Sequence, residues 1–223
     1  MKFIERIKKD KETFDGLKDR KTKLIFLWDY YKIPIVSAIL VFFICIFSLI
    51  RVLTTKPVLM YAVLVNSDAQ ILEVDDSVFT DTLEEAGVDV EGKVVDVNDY
   101  LTLGMDNKEE DDIETLQVLN ALFSITDLDV FVGFKDDFDK FIEADAFYDL
   151  SLLIDEDLLK ANDTDLYRYP DSSGKEIVGG IILHSDSALH KANYYHNDVI
   201  IGIASNAVYL ENASAFVSQL IKD

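Results

Sequence analysis

The strongest constraint on this chain is an uncharged run: Ile33-Pro34-Ile35-Val36-Ser37-Ala38-Ile39-Leu40-Val41-Phe42-Phe43-Ile44-Cys45-Ile46-Phe47-Ser48-Leu49-Ile50, bounded by Lys32 and Arg51. Extended to Leu53, with Arg51 snorkelling toward water, it holds 21 residues. As a helix rising about 1.5 Å per residue it measures roughly 31 Å, which matches a hydrocarbon core of about 30 Å. Pro34 is expected in the first turn, where a missing N–H costs nothing. Trp28, Tyr30 and Tyr31 precede the run, where an aromatic belt meets the headgroups. A buried core helix is the competing reading. Length and lack of charge favour a membrane span over 33–53, with the lipid bilayer as its partner.

Charge divides unequally around that span. Residues 1–32 carry ten Lys/Arg against six Asp/Glu, whereas residues 57–223 carry nine against 36, a net of −27. Lys and Arg close to a span stay on the cytoplasmic side. Lys18, Arg20, Lys21, Lys23 and Lys32 lie before it and only Arg51 and Lys56 after it. The expected topology is a cytoplasmic basic tail (1–32) and an extracytoplasmic acidic domain (57–223) in the cell membrane. Such a domain excludes nucleic acid as a partner, because phosphate binding needs cationic surface. The single Cys45 lies inside the run, so no disulfide can staple the domain. Phe43 and Ile44 before it do not suit a lipoprotein anchor. The long basic region and long apolar run favour an uncleaved signal anchor over a cleaved leader.

In the tail, Phe3, Ile4 and Ile7 fall at helical spacing among lysines, the pattern of a short amphipathic helix on a membrane surface; a tail that only fixes topology is the alternative. Past a short linker, Val58 to Val65 is a continuous apolar run, the signature of a strand buried on both faces. That strand ends at the turn-forming cluster Asn66-Ser67-Asp68, and a helix is expected to follow to about Ala86, with Ile71, Leu72, Val78, Phe79 and Leu83 on one face and Gly87 as its stop. Lys93–Val97 reads as a second strand. Glu109-Glu110-Asp111-Asp112 opens a helix with Ile113, Leu116, Leu119 and Phe123 facing inward. Those carboxylates complement the positive end of the helix dipole, a metal site or docking tail being the alternative. A third strand spans Leu128–Gly133, and Phe134, Phe138, Phe141 and Ile142 stripe the next helix. Phe147–Leu159 reads as a turn and a short helix. Asp171-Ser172-Ser173-Gly174 turns a hairpin between Tyr167–Tyr169 and Glu176–Leu183. Val199–Ala204 is another buried strand, and Ala213, Phe216, Val217, Leu220 and Ile221 mark a closing helix. The fold class is α/β: one transmembrane helix, then a three-layer domain with a mostly parallel sheet.

On these residues the outer domain resembles one lobe of a bacterial extracellular solute-binding protein. The opening strand and helix, Asp127–Gly133, Ala146-Phe147-Tyr148-Asp149-Leu150-Ser151, and Ile200–Asn206 with the closing helix carry the likeness, and Glu176–Leu183 stands for the crossing strand. The likeness spans most of 58–223. Ser185 to Tyr195 is too short to hold a second lobe, so the resemblance implies half a clamp. The segment Trp28–Pro34 resembles the lead into the span of single-pass membrane proteins of Firmicutes.

Ligands of open α/β sheets bind beyond the carboxyl ends of the strands, where the order reverses. That rule picks out a candidate ligand rim of Asn66, Ser67, Asp68, Gly133, Ser185 and Asp186, beside the bland reading of ordinary loop residues. His184, His190 and His196 lack the i, i+4 spacing of a zinc helix, though His184, Asp186 and His190 could meet in a loop. No calcium-loop pattern occurs. Ser172-x-x-Lys175 matches a bare nucleophile motif, yet Gly174 places it in a turn without its companions. Neither G-x-S-x-G, a phosphate-binding glycine loop nor H-E-x-x-H is present. Asn162 and Asn212 open formal glycosylation triplets. The expectation is a non-enzyme without cofactor, acting as a protein-interaction or accessory subunit of an envelope or transport complex. A small-molecule or cation sensor using the half-cleft is the alternative.

Overall fold

A computed structural model describes residues 14–16, 19–104, 109–125 and 128–222. The tail residues Phe3, Ile4 and Ile7 lie outside them, as do the side chains of Glu109–Asp111. Contacts divide the chain into two compact units, Met1–Thr55 and Lys56–Asp223.

In the first unit, helix α1 spans Arg20–Thr54, 35 residues, roughly 52 Å at about 1.5 Å per residue. Its segment Tyr31–Thr54, 24 residues, is long and apolar enough to cross a membrane. Because α1 starts at Arg20, Pro34 stands inside the helix and not in its first turn. The carbonyl of Tyr30 therefore lacks its usual donor, a loss that helices in lipid tolerate when neighbouring groups compensate. At the other end, Thr54 Oγ1 donates to Ile50 O (2.8 Å) and Thr55 Oγ1 to Arg51 O (2.7 Å). The Arg51 carbonyl also accepts the Thr55 N–H (2.9 Å), so the hydroxyls add second donors to carbonyls of the last turn.

The second unit holds one six-stranded sheet: β1 (Val58–Leu64), β2 (Val94–Asn98), β3 (Val130–Gly133), β4 (Leu166–Pro170), β5 (Glu176–Leu183) and β6 (Val199–Ile203), in the order β2-β1-β3-β6-β5-β4. β1 pairs parallel with β2 and β3, whereas β6 enters antiparallel between β3 and β5, and β4 returns antiparallel on β5. Four strands thus point one way, and the sheet is mixed. The antiparallel half comes from the expected 171–174 hairpin and from a return to β6 too short for a crossover of the parallel kind.

Helices α2 (Ser77–Glu85) and α7 (Leu210–Leu220) cover one face. Phe79 stacks on Phe216 (5.7 Å, 16°) over Met60, Ala62, Val130 and Ile201. Helix α3 (Glu109–Ile125) and the turn α4 (Lys135–Phe138), continued as a 3-10 helix to Ala144, cover the other, where Phe131, Phe138, Phe141 and Phe147 meet Leu119. Short helices α5 (Glu156–Ala161) and α6 (Ala188–Lys191) complete the layers.

Local chemistry moves several boundaries away from the periodicity. Asp68–Gln70 makes one 3-10 turn, and α2 begins only at Ser77, whose N–H bonds the Asp75 carboxylate (3.1 Å). Ile71 and Leu72 are left exposed instead of joining the helical stripe. In α3, Leu119 is buried while Ile113 is 55% exposed, so the inward face starts later than expected. Asp112 accepts from Gly104 N–H (2.6 Å), which ties that helix to the loop before it. The Phe134–Ile142 stripe is real at Phe138 and Phe141, but α4 is one turn long, and Asp145 in the left-handed region (φ 49°) ends the 3-10 segment.

Asp149 joins the 147–152 turn to β5. Its carboxylate accepts from Ser151 Oγ (2.6 Å), Lys175 Nζ (3.0 Å) and Val178 N–H (3.3 Å). Burial works against its charged form, but the Ser151 and Lys175 bonds and the two backbone donors outweigh it and hold the carboxyl below its ordinary value. A depressed carboxyl contributes stability that is present above its unfolded pKa, about 3.9, and is lost as pH falls through the folded value. Asp149→Asn should therefore lower stability at pH 7 by about 1–2 kcal/mol and flatten the loss on acidification below pH ~4, measured by urea titration across pH.

Candidate functional site

The carboxyl ends of β1, β2, β3 and β5 share one edge of the sheet, and the order reverses between β1 and β3. The protein's own side chains occupy that crevice. Tyr195, 1% exposed, gives its hydroxyl proton to the carbonyls of Val65 (3.0 Å) and Val132 (3.3 Å). Burial, with Asp137, Asp68 and Asp99 nearby, pushes its pKa well up and keeps the phenol a donor. Asn66, at φ 58°, gives Nδ2 to Leu103 O (2.9 Å) and Asp137 Oδ2 (2.8 Å), and its Oδ1 accepts from Leu103 N–H (2.8 Å). Ser67 Oγ donates to Asp99 O, and Asp68 accepts from His196 Nδ1 (2.6 Å). Gly133 is buried against Phe131 and Asp137. Ser185 and Asp186 stay exposed at the end of β5, where Asp186 borders a separate hollow of about 120 Å³ with His184 and Asn162. The six rim residues thus do not line one hollow, because Asn66, Ser67 and Asp68 spend their polar atoms tying down the 99–103 loop and the 194–196 segment.

The other polar candidates are similarly placed. His184 pairs with Asp198 (3.0 Å) and Asp165 (3.4 Å). His190 gives Nε2–H to Asn197 O (2.9 Å) and accepts from Ser187 Oγ at Nδ1 (2.7 Å), so it does not meet His184 and Asp186. Among the described residues no group of three His, Cys, Asp or Glu could hold a metal. Lys175 is turned onto Asp149, and the N–H of Ser172 bonds Asp145, so the Ser-x-x-Lys pair forms no nucleophile and base. The amide nitrogens of Asn162 and Asn212 donate to Leu158 O and Leu59 O.

A different feature stands open. Beside the edge strand β2 lies a trough of about 490 Å³ lined by Tyr61, Asp96, Asn98, Tyr100, Leu122 and Tyr209 among others. β2 presents Asp96 and Asn98 to it, and α3 contributes Leu122. Buried Asp129 positions two of its tyrosines by accepting Tyr61 N–H at Oδ2 (2.8 Å) and Tyr209 N–H at Oδ1 (2.7 Å). Asn98 Nδ2 donates to Tyr61 Oη (3.3 Å), and its Oδ1, at the buried base, has no donor among the described residues. Tyr100 is 67% exposed. Aromatic faces, one carboxylate and an amide suit hydrogen-bond donors and cations, and the volume is that of an ordinary ligand cleft. The periodicity did not reveal this trough, whose residues come from four separate segments. The one readable signal was the alternation Val95-Asp96-Val97-Asn98, which marks a strand covered on one face only.

No family model matches the chain, and no curated protein or solved structure does either.

Proposed function

We propose that this chain is a single-pass membrane protein, its basic tail cytoplasmic and its acidic α/β domain extracytoplasmic. That domain works through protein contacts, as an accessory subunit of an envelope or transport complex. The observation that carries the reading is the strand-end crevice filled by Tyr195 and closed by Asn66. A domain that plugs its own ligand position has its surface left to act with. The single apolar helix Tyr31–Thr54 supports the anchored arrangement. The placement of β6, returning antiparallel between β3 and β5, supports the likeness to one lobe of a solute-binding protein. A sensor using the strand-end half-cleft draws no support from this geometry.

Solubilising native membranes in mild detergent and passing the tagged full chain over two orthogonal columns tests the reading. Another membrane or envelope protein should stay with it at constant stoichiometry. A chain that elutes alone, including after cross-linking in the intact membrane, removes the proposal.

A further inference from the structure

We propose that the β2 edge and its trough take up an extended, lysine- or arginine-bearing segment of a partner protein, which adds as a seventh strand. This rests on the protein-contact reading above and names its surface. β2 closes one side of the sheet and, among the described residues, pairs only with β1. Val94 gives its N–H to Pro57 O (3.1 Å) on the β1 side, so alternation along the strand turns the N–H and C=O of Val95 and Val97 outward. An unpaired row of this kind is a template for another strand. The opposite edge is blunted: β4 carries Pro170, an irregularity between Tyr167 and Arg168, and the Arg168–Asp163 ion pair. β2 itself has no proline.

The chemistry of the occupant follows from charge. The domain from residue 57 carries a net −27, so a second copy would be repelled and a basic segment attracted. Alternate side chains of an added strand fall on the trough face. There Asp96, which has no ion-pair partner among the described residues, and the exposed Tyr100 and Tyr209 rings offer a carboxylate and π faces to an ammonium or guanidinium group. A donor arriving there also gives the Asn98 amide a reason to turn its unpaired Oδ1 outward.

The probe is an end-blocked, fluorescent octapeptide alternating Val and Lys, titrated against the full chain in detergent and read by anisotropy. It should bind saturably, and its Val/Glu counterpart should not. Val97→Pro removes one outward N–H without touching the β1 ladder and should weaken binding at least tenfold; Asp96→Lys should do the same through charge. Should Val97→Pro fail to fold, Asp96→Lys together with an N-methylated peptide, which lacks strand hydrogen bonds, decides. No saturable binding, or binding indifferent to these changes, overturns the proposal. If a stoichiometric partner co-purifies while the peptide arms fail, only the β2 assignment falls; if no partner co-purifies, the parent reading falls.

Discussion

Gly202→Val should abolish the cooperative unfolding transition of the domain formed by Lys56–Asp223. A Cβ on Gly202 would stand 2.8 Å from two ring carbons of Phe138 and 3.0 Å from the Gly179 carbonyl oxygen. Neither neighbour can withdraw. Phe138 is fully buried, stacked on Phe147 with centroids 3.8 Å apart and edge-on to Phe131 and Tyr167. The Gly179 carbonyl belongs to β5, where Gly180 would likewise bring a Cβ to 2.6 Å from Ile200. Overpacking of a filled core costs about 1–3 kcal/mol for small insertions. Valine adds three carbons against backbone as well as ring, and whole domains hold only about 5–15 kcal/mol. Urea titration of the full chain in detergent, followed by near-ultraviolet circular dichroism, reads this well, since eight of the ten tyrosines lie in the domain and Trp28 lies in α1. Gly202→Ala should be milder. Adding Phe138→Leu should recover part of its loss, because ring carbons are the nearest obstacle, but not all, because the Gly179 oxygen remains. A Gly202→Val protein melting at the wild-type midpoint would mean that Phe138 does not lie across β5 and β6.

That glycine pair shows where legibility ended. Val58–Val65 and Val199–Ala204 announced buried strands because every side chain along them is apolar, and Ala213, Phe216, Val217 and Leu220 announced a closing helix through their spacing. Such signals are local. The 171–174 hairpin was legible for the same reason: its turn residues lie beside the strands they join. The start of α2 was not, because Ile71 and Leu72 keep helical spacing although the helix begins only at Ser77, whose N–H bonds the Asp75 carboxylate. The state of the strand-end crevice was hidden more deeply. Tyr195 reaches carbonyls 130 and 63 positions away, and Asn66 closes a loop 37 positions on, so the strand-end rule named an edge that the chain had already filled. The trough escaped for the complementary reason. It depends on which strand lies outermost and on four separate segments meeting there, and neither is written in the pattern of any one segment.

Single-cysteine labelling should place Ser172 and Lys21 on opposite sides of the membrane. Cys45, the only native cysteine, lies in α1 and is first replaced by serine. Ser172→Cys, on an exposed turn, should react near completion with a membrane-impermeant maleimide on intact cells, whereas Lys21→Cys should react only after permeabilisation. The cause is the imbalance of Lys18, Arg20, Lys21, Lys23 and Lys32 before the span against Arg51 and Lys56 after it. Moving that imbalance, by neutralising the first four and adding lysines after Lys56, should send a fraction of chains in with reversed labelling. Retention rests on apolar transfer. Leu40→Asp with Val41→Asp, each about 2.5–3.5 kcal/mol unfavourable near the centre of a helix, should release the protein from the membrane fraction. A cleaved leader would give a different pattern, with the Ser172→Cys protein shortened and free in the medium and the Lys21→Cys label absent from it. If Ser172→Cys in the full-length chain is shielded on intact cells, the acidic domain lies inside. The −27 surface would then face cytoplasmic partners, and the assignment to an envelope complex would fall while the open β2 edge would still need an occupant.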